Sequence, residues 1–176
     1  MATPARKPPA LMTVDDFLSW DGGGHVGKIE LVDGVPRLMA PASATHGIIQ
    51  ASVGTAISNR LRQSKSCLRA GINCPVQPPL AKAINARVPD VVVTCAPISD
   101  CRVIEAPVLI VEVLSPGNEA ETWESIRALA PIPSLGEILV LSSTATEAQI
   151  FRRLADGSWQ AEADRYGAGE TLRLAS

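Results

Sequence analysis

Between Val108 and Leu114 the chain reads Val-Leu-Ile-Val-Glu-Val-Leu, and no other stretch limits the fold as tightly. A run so rich in Val, Ile and Leu is a strand covered on both faces, which calls for a sheet with further layers packed on either side. Glu112 interrupts that run. A carboxylate taken out of water there costs roughly several kcal/mol unless it is protonated, paired with a base or bound to a metal ion. Each of these is commoner at a functional site than in a plain core.

At 176 residues the chain suits one domain with a real core. Residues 1–10 hold three prolines and two basic residues without an apolar run, so they are expected to form a mobile arm ahead of a single domain over residues 11–176. No apolar run approaches a membrane-spanning length, and without a targeting signal the expected location is cytoplasmic. A net charge of -2 excludes a generally basic nucleic-acid coat, and with 3% aromatics a stacking platform for single strands is poorly supplied. Cys67, Cys74, Cys95 and Cys101 match no paired zinc spacing and are expected to stay reduced.

Thr13 and Asp16 form a capping-box start for a short helix ending near Trp20, where three glycines stop it. Asp33-Gly34 between Lys28–Val32 and Val35–Met39 predicts a hairpin. A longer helix capped by Ser43 or Thr45 runs to about Arg62, with Ile48, Ile49, Val53, Ala56, Ile57 and Leu61 at helical spacing. Strands are expected near 66–70, 73–77, 88–94, 108–114, 137–141, 149–153, 159–163 and 171–174, with a helix over about 118–129. This order mixes βαβ units with hairpins and predicts a mixed sheet with helices on its faces.

Asp90 is a second unusual carboxylate, opening a strand that is otherwise Val-Val-Val. If the strands around 90 and 112 pair antiparallel about position 101, the two acids lie opposite each other on one face. Opposed carboxylates repel, an arrangement that makes sense with a divalent cation between them.

Glu30-Leu31-Val32-Asp33-Gly34, Ala40-Pro41 with His46 a few residues on, Arg87-Val88-Pro89-Asp90-Val91-Val92-Val93 and Val111-Glu112-Val113-Leu114-Ser115-Pro116 together resemble the Uma2 family. That domain of unknown function (DUF820) is placed in the PD-(D/E)xK nuclease superfamily, and the resemblance spans roughly residues 12–153. It implies a restriction-endonuclease-like α/β (α+β) fold. It further implies a metal-dependent endonuclease hydrolysing DNA phosphodiester bonds, often as a homodimer. Asp90, Glu112 and Glu30 would hold Mg²⁺ or Mn²⁺ through oxygen ligands suited to hard cations.

The superfamily pattern sets a lysine two residues after the second acid, where this chain has Leu114. Many Uma2 sequences carry an Asp and a Lys on the following helix instead; here those places hold Thr122 and Ile126 or, shifted by one, Arg127. Arg127 is thus a candidate for stabilising phosphate charge, not for accepting a proton. The alternative is a catalytically degenerate nuclease-fold protein that binds nucleic acid or a protein partner without cleavage. A third reading is a structural dimerisation module in which Glu112 pairs with an arginine. His46, near the start of the long helix, is a candidate neighbour of the site, and His25 reads as a loop residue.

Overall fold

Thr13 opens the described chain with a complete capping box: its side chain accepts from the Asp16 N–H, and the Asp16 carboxylate accepts from the Thr13 N–H at 3.0 Å. The computed structural model describes residues 11–25, 27–64, 67–97 and 102–175. The expected arm at residues 1–10 and Cys101 lie outside them.

The first helix, α1 (Val14–Ser19), precedes a hairpin of β1 (Ile29–Val32) and β2 (Val35–Leu38). Its turn residues Asp33 and Gly34 both have positive φ, 48° and 79°, the twist that a two-residue hairpin turn requires and that Asp-Gly tolerates. The hairpin stands apart from the main sheet. Leu31 exchanges two backbone hydrogen bonds of 2.9 Å with Ala86, and Met12, Val14, Leu31 and Ala86 form a small core beneath it.

The main sheet has the order β3-β4-β5-β6-β7-β8, built from β3 (Arg69–Ile72), β4 (Val91–Thr94), β5 (Pro107–Leu114), β6 (Glu137–Ser142), β7 (Ala148–Arg152) and β8 (Asp164–Tyr166). Only β5 and β6 run parallel, joined by the crossover helix α3 (Glu119–Leu129); the other neighbours are antiparallel. Alternation along the strands divides the core into two layers. Val92, Ile110, Ile138 and Val140 pack with Ile126 and Leu129 of α3. Val91, Val93, Leu109 and Val111 face the other way, toward α2 (Ala44–Ser64). The expected mixed sheet with helices on its faces is therefore the fold, and β5 is covered on both sides.

Several expectations need correction. Residues 73–77 form no strand: Pro75, Pro78 and Pro79 remove ladder donors, and only Val76 makes isolated bridges, to Arg87 and Ile104. Of 159–163 only Trp159 pairs, with Arg153, and 171–174 joins no ladder although Leu172 and Leu174 pack on the core. In α2 the sheet-facing positions are Val53, Ile57 and Leu61, spaced by four, whereas Ile48 is 66% exposed because it projects from the opposite side. The cysteines are not all reduced: Cys67 and Cys95 form a disulfide with Cα atoms 5.2 Å apart. The pairing of Arg69 with Thr94 brings these flanking positions together, a proximity that spacing along the chain does not reveal.

Candidate active site

Asp90 sits one residue ahead of β4, and the ladder Val91↔Val111, Val92↔Ile110 carries it level with Glu112. Asp90 and Glu112 thus lie opposite each other, as expected from an antiparallel pair centred on position 101. A bulge between Val93 and Thr94 shifts the register only at the far end. Both acids are 2% exposed.

The two oxygens of Asp90 have different company. Oδ2 accepts from the Val113 N–H at 2.8 Å and lies 3.2 Å from Nε2 of buried His46. Oδ1 accepts from Lys28 Nζ at 3.2 Å. Burial by itself would raise this carboxyl, but the His46 contact, the Lys28 charge and the Val113 N–H together hold it below its ordinary value. Asp90 is ionised.

Glu112 goes the other way. Burial pushes its carboxyl well above the usual range, the charges of Asp90 and Glu30 push further, and Lys28 and the Asp90 N–H only partly oppose them. Of the compensations open to this carboxylate, burial favours the protonated form and Lys28 supplies a nearby ammonium.

Lys28 is the functional candidate that sequence reasoning missed. It lies two residues before Glu30, on the same side of an extended chain, and its side chain is 22% exposed. Burial would lower its pKa, but the charges of Glu112, Asp90 and Glu30 outweigh this and raise it. The group is a firm cation amid three acids. Its contact with Asp90 spans 62 positions and depends on the hairpin docking through Leu31 and Ala86, so no local motif announces it.

Glu30 is not the solvent-facing strand residue that a hairpin alone would suggest; it is 3% exposed. Its carboxylate accepts from the Val88 N–H at 2.9 Å, from Ser125 Oγ at 3.4 Å and from Arg87 at 3.5 Å. Arg87 also meets Glu124 at 3.4 Å, and Glu124 receives Arg37 from β2 at 2.8 Å, so an alternating chain of charges ties hairpin to α3. The buried Nε of Arg87 lacks an acceptor among the described residues. Arg127 is exposed near the end of α3, beside a separate depression shared with Arg37, Glu121 and Glu124. The structure does not bring it to the acids.

A cleft of about 790 Å³ opens over Asp90, lined also by Lys28, His46, Ser115, Gln50 and Asn73. His46 is clamped there, Nδ1 lying 3.0 Å from Ser115 Oγ. Ser43, accepting from the His46 N–H at 3.2 Å, caps the helix that carries it. Gln50 donates to the Asp90 carbonyl at 2.9 Å and to Asn73 at 2.8 Å. His25 is a loop residue near Met39 O, as expected.

Among the described residues no three His, Cys, Asp or Glu side chains stand close enough to hold a metal ion between them. Glu30 is turned to Arg87 and Val88, which leaves Asp90 and Glu112 as the neighbouring pair. One or two carboxylates, completed by water and substrate phosphate, are the usual protein contribution to a Mg²⁺ site. The oxygen donors and the poorly compensated Glu112 fit such an ion.

Two buried acids at adjoining strand ends, beneath a hairpin bearing a third and on a helix-flanked mixed sheet, define a protein of the restriction-endonuclease-like class. The chain belongs to the Uma2 family, whose model, described as "Putative restriction endonuclease", matches residues 14–175. It is 30% identical over 177 residues to the uncharacterised protein slr1290 of Synechocystis, covering 99% of this chain and 90% of that one. Its fold resembles the crystal structure of a "putative nuclease belonging to DUF820" from Anabaena variabilis, with a TM-score of 0.73 at 16% identity. That match covers 94% of this chain and 89% of the other. No helix among the described residues is long and apolar enough to cross a membrane.

Proposed function

We propose that the protein is a metal-dependent endonuclease hydrolysing DNA phosphodiester bonds in the cleft over Asp90. The observation that carries this reading is the placement of two buried acids, Asp90 and Glu112, level with each other on adjoining strands, with Lys28 Nζ 3.2 Å from Asp90 Oδ1. Asp90 and Glu112 would hold Mg²⁺ or Mn²⁺, with Glu30 as the third acid, whose charge acts on Glu112. A divalent ion held there would lower the pKa of a bound water and neutralise charge on the scissile phosphate. The chain's own residues do the rest. Val113 N–H and His46 fix Asp90, Ser115 fixes His46, and Lys28 offers positive charge at the cleft wall. Arg127, away from the cleft, fits a contact to a flanking phosphate. A homodimer would present two such clefts to the two strands of a duplex.

A second reading, a nuclease fold that binds without cleaving, is favoured by Leu114 and by the engagement of Glu30 with Arg87. Calorimetric titration with Mn²⁺ of the protein and of Glu112→Ala, scored alongside plasmid and oligonucleotide cleavage, separates the two. Mn²⁺ binding lost in the variant together with metal-dependent cleavage is the expected result. A parent protein without Mn²⁺ affinity rules out the first reading, and binding without cleavage on any DNA substrate favours the second.

A further inference from the structure

Each oxygen of Asp90 is held differently, and the difference bears on how an ion could reach it. Oδ2 is fixed by framework groups, the Val113 N–H and the buried ring of His46. Among the described residues Oδ1 is met only by the ammonium of Lys28, at the end of a flexible four-carbon stem whose head borders the cleft. The stem is partly exposed, and although the charges of Glu112 and Glu30 also attract the ammonium, its one hydrogen bond among the described residues is the one to Asp90.

We infer that Lys28 is a built-in counterion that closes Asp90 Oδ1 in the metal-free protein and must release it before a divalent ion can bind. The inference rests on the metal-dependent reading above. A divalent ion and an ammonium at the same oxygen would be like charges at contact distance in a half-dry site, where repulsion is only weakly screened. Occupancy is therefore exclusive. The released ammonium stays within reach of the cleft, as a cation available to substrate phosphate. Lys28 is thus a positioning residue that lowers metal affinity, the opposite of what a residue assisting metal binding would do.

The test is Mn²⁺ titration calorimetry without DNA on the parent, Lys28→Gln and Lys28→Arg, with folding checked by circular dichroism in chelator. Lys28→Gln should bind Mn²⁺ at least about tenfold more tightly than the parent, because one positive charge beside the ion has gone. Lys28→Arg, which keeps the charge, should not. Equal or weaker binding by Lys28→Gln overturns the inference alone. Absence of Mn²⁺ binding in the parent overturns the metal-dependent reading and this inference with it.

A measurement on the unaltered chain covers the case in which Lys28→Gln does not fold. Lys28 is one of four lysines in the sequence, so its acylation by an amine reagent can be followed by mass spectrometry. Mn²⁺ should speed labelling of Lys28 relative to Lys82. Labelling that is unchanged or slowed by Mn²⁺ overturns the inference.

Discussion

At the scale of single residues, Glu112 is disfavoured as an anion, since burial and two neighbouring acids oppose its ionisation. Replacing it with an isosteric amide removes the cost that a carboxyl raised on folding imposes at neutral pH and keeps an acceptor for the Asp90 N–H. Glu112→Gln in chelator at neutral pH should therefore stabilise the protein by about 1–2 kcal/mol, read as a higher urea midpoint with unchanged slope. A destabilised variant would mean that the charge itself holds Lys28 in place. Asp90 and Glu112 were legible because each breaks an apolar strand, and a broken pattern is visible in one dimension. Lys28 was not, for it breaks no pattern; only the docked hairpin gives it acidic neighbours. Leu114 and Arg127 drew attention because they stand where a motif would put a cation, yet the chain supplies that charge from 62 positions before Asp90's own strand end.

At the scale of elements, α1, the Asp-Gly hairpin, β5 and α3 were readable because each is written in local chemistry: a capping box, a turn dipeptide, an apolar run, a helical period. The strands expected at 73–77 and 171–174 failed because a strand also needs a partner and free N–H groups. In α2, Gly54 is buried against the sheet, and a Cβ there would meet Ile72 Cδ1 at 3.1 Å. Ile72 is 48% exposed and can swing its tip away, so the helix propensity of alanine should prevail. Gly54→Ala is expected to stabilise by up to about 1 kcal/mol, and a lower melting temperature would show that Ile72 cannot yield. The charge chain between β2 and α3 has a pH signature. The Arg37 hydrogen bond holds the Glu124 carboxyl below its ordinary value, so its contribution is present above that ordinary value and is lost as pH falls through the lowered one. Glu124 is 42% exposed and solvent screening limits the effect: Glu124→Gln should cost under about 1 kcal/mol at pH 7, and nothing in acid where both forms are neutral.

At the scale of the whole molecule, the sheet places the candidate site at one end of β4 and the Cys67–Cys95 disulfide at the other. The bridge follows the C-terminal end of α2 and closes a loop of 28 residues that contains β3 and all of the proline-rich segment. Constraining a loop of that length in the unfolded chain is worth about 3–4 kcal/mol. Reduction, or Cys67→Ser with Cys95→Ser, should therefore lower the melting temperature by roughly 10 °C in differential scanning calorimetry. The site should hardly notice. Asp90 is anchored by Val113 N–H, His46 and Lys28, none of which touches the bridge, and β4 remains paired on both sides without it. Mn²⁺ affinity of the reduced protein below its melting temperature should stay within about twofold of the oxidised form, as expected for sites that share no partners. A loss of metal affinity in step with reduction would show instead that α2 and β4 are held at their working distance by the disulfide, and that His46 reaches Asp90 only while it is intact.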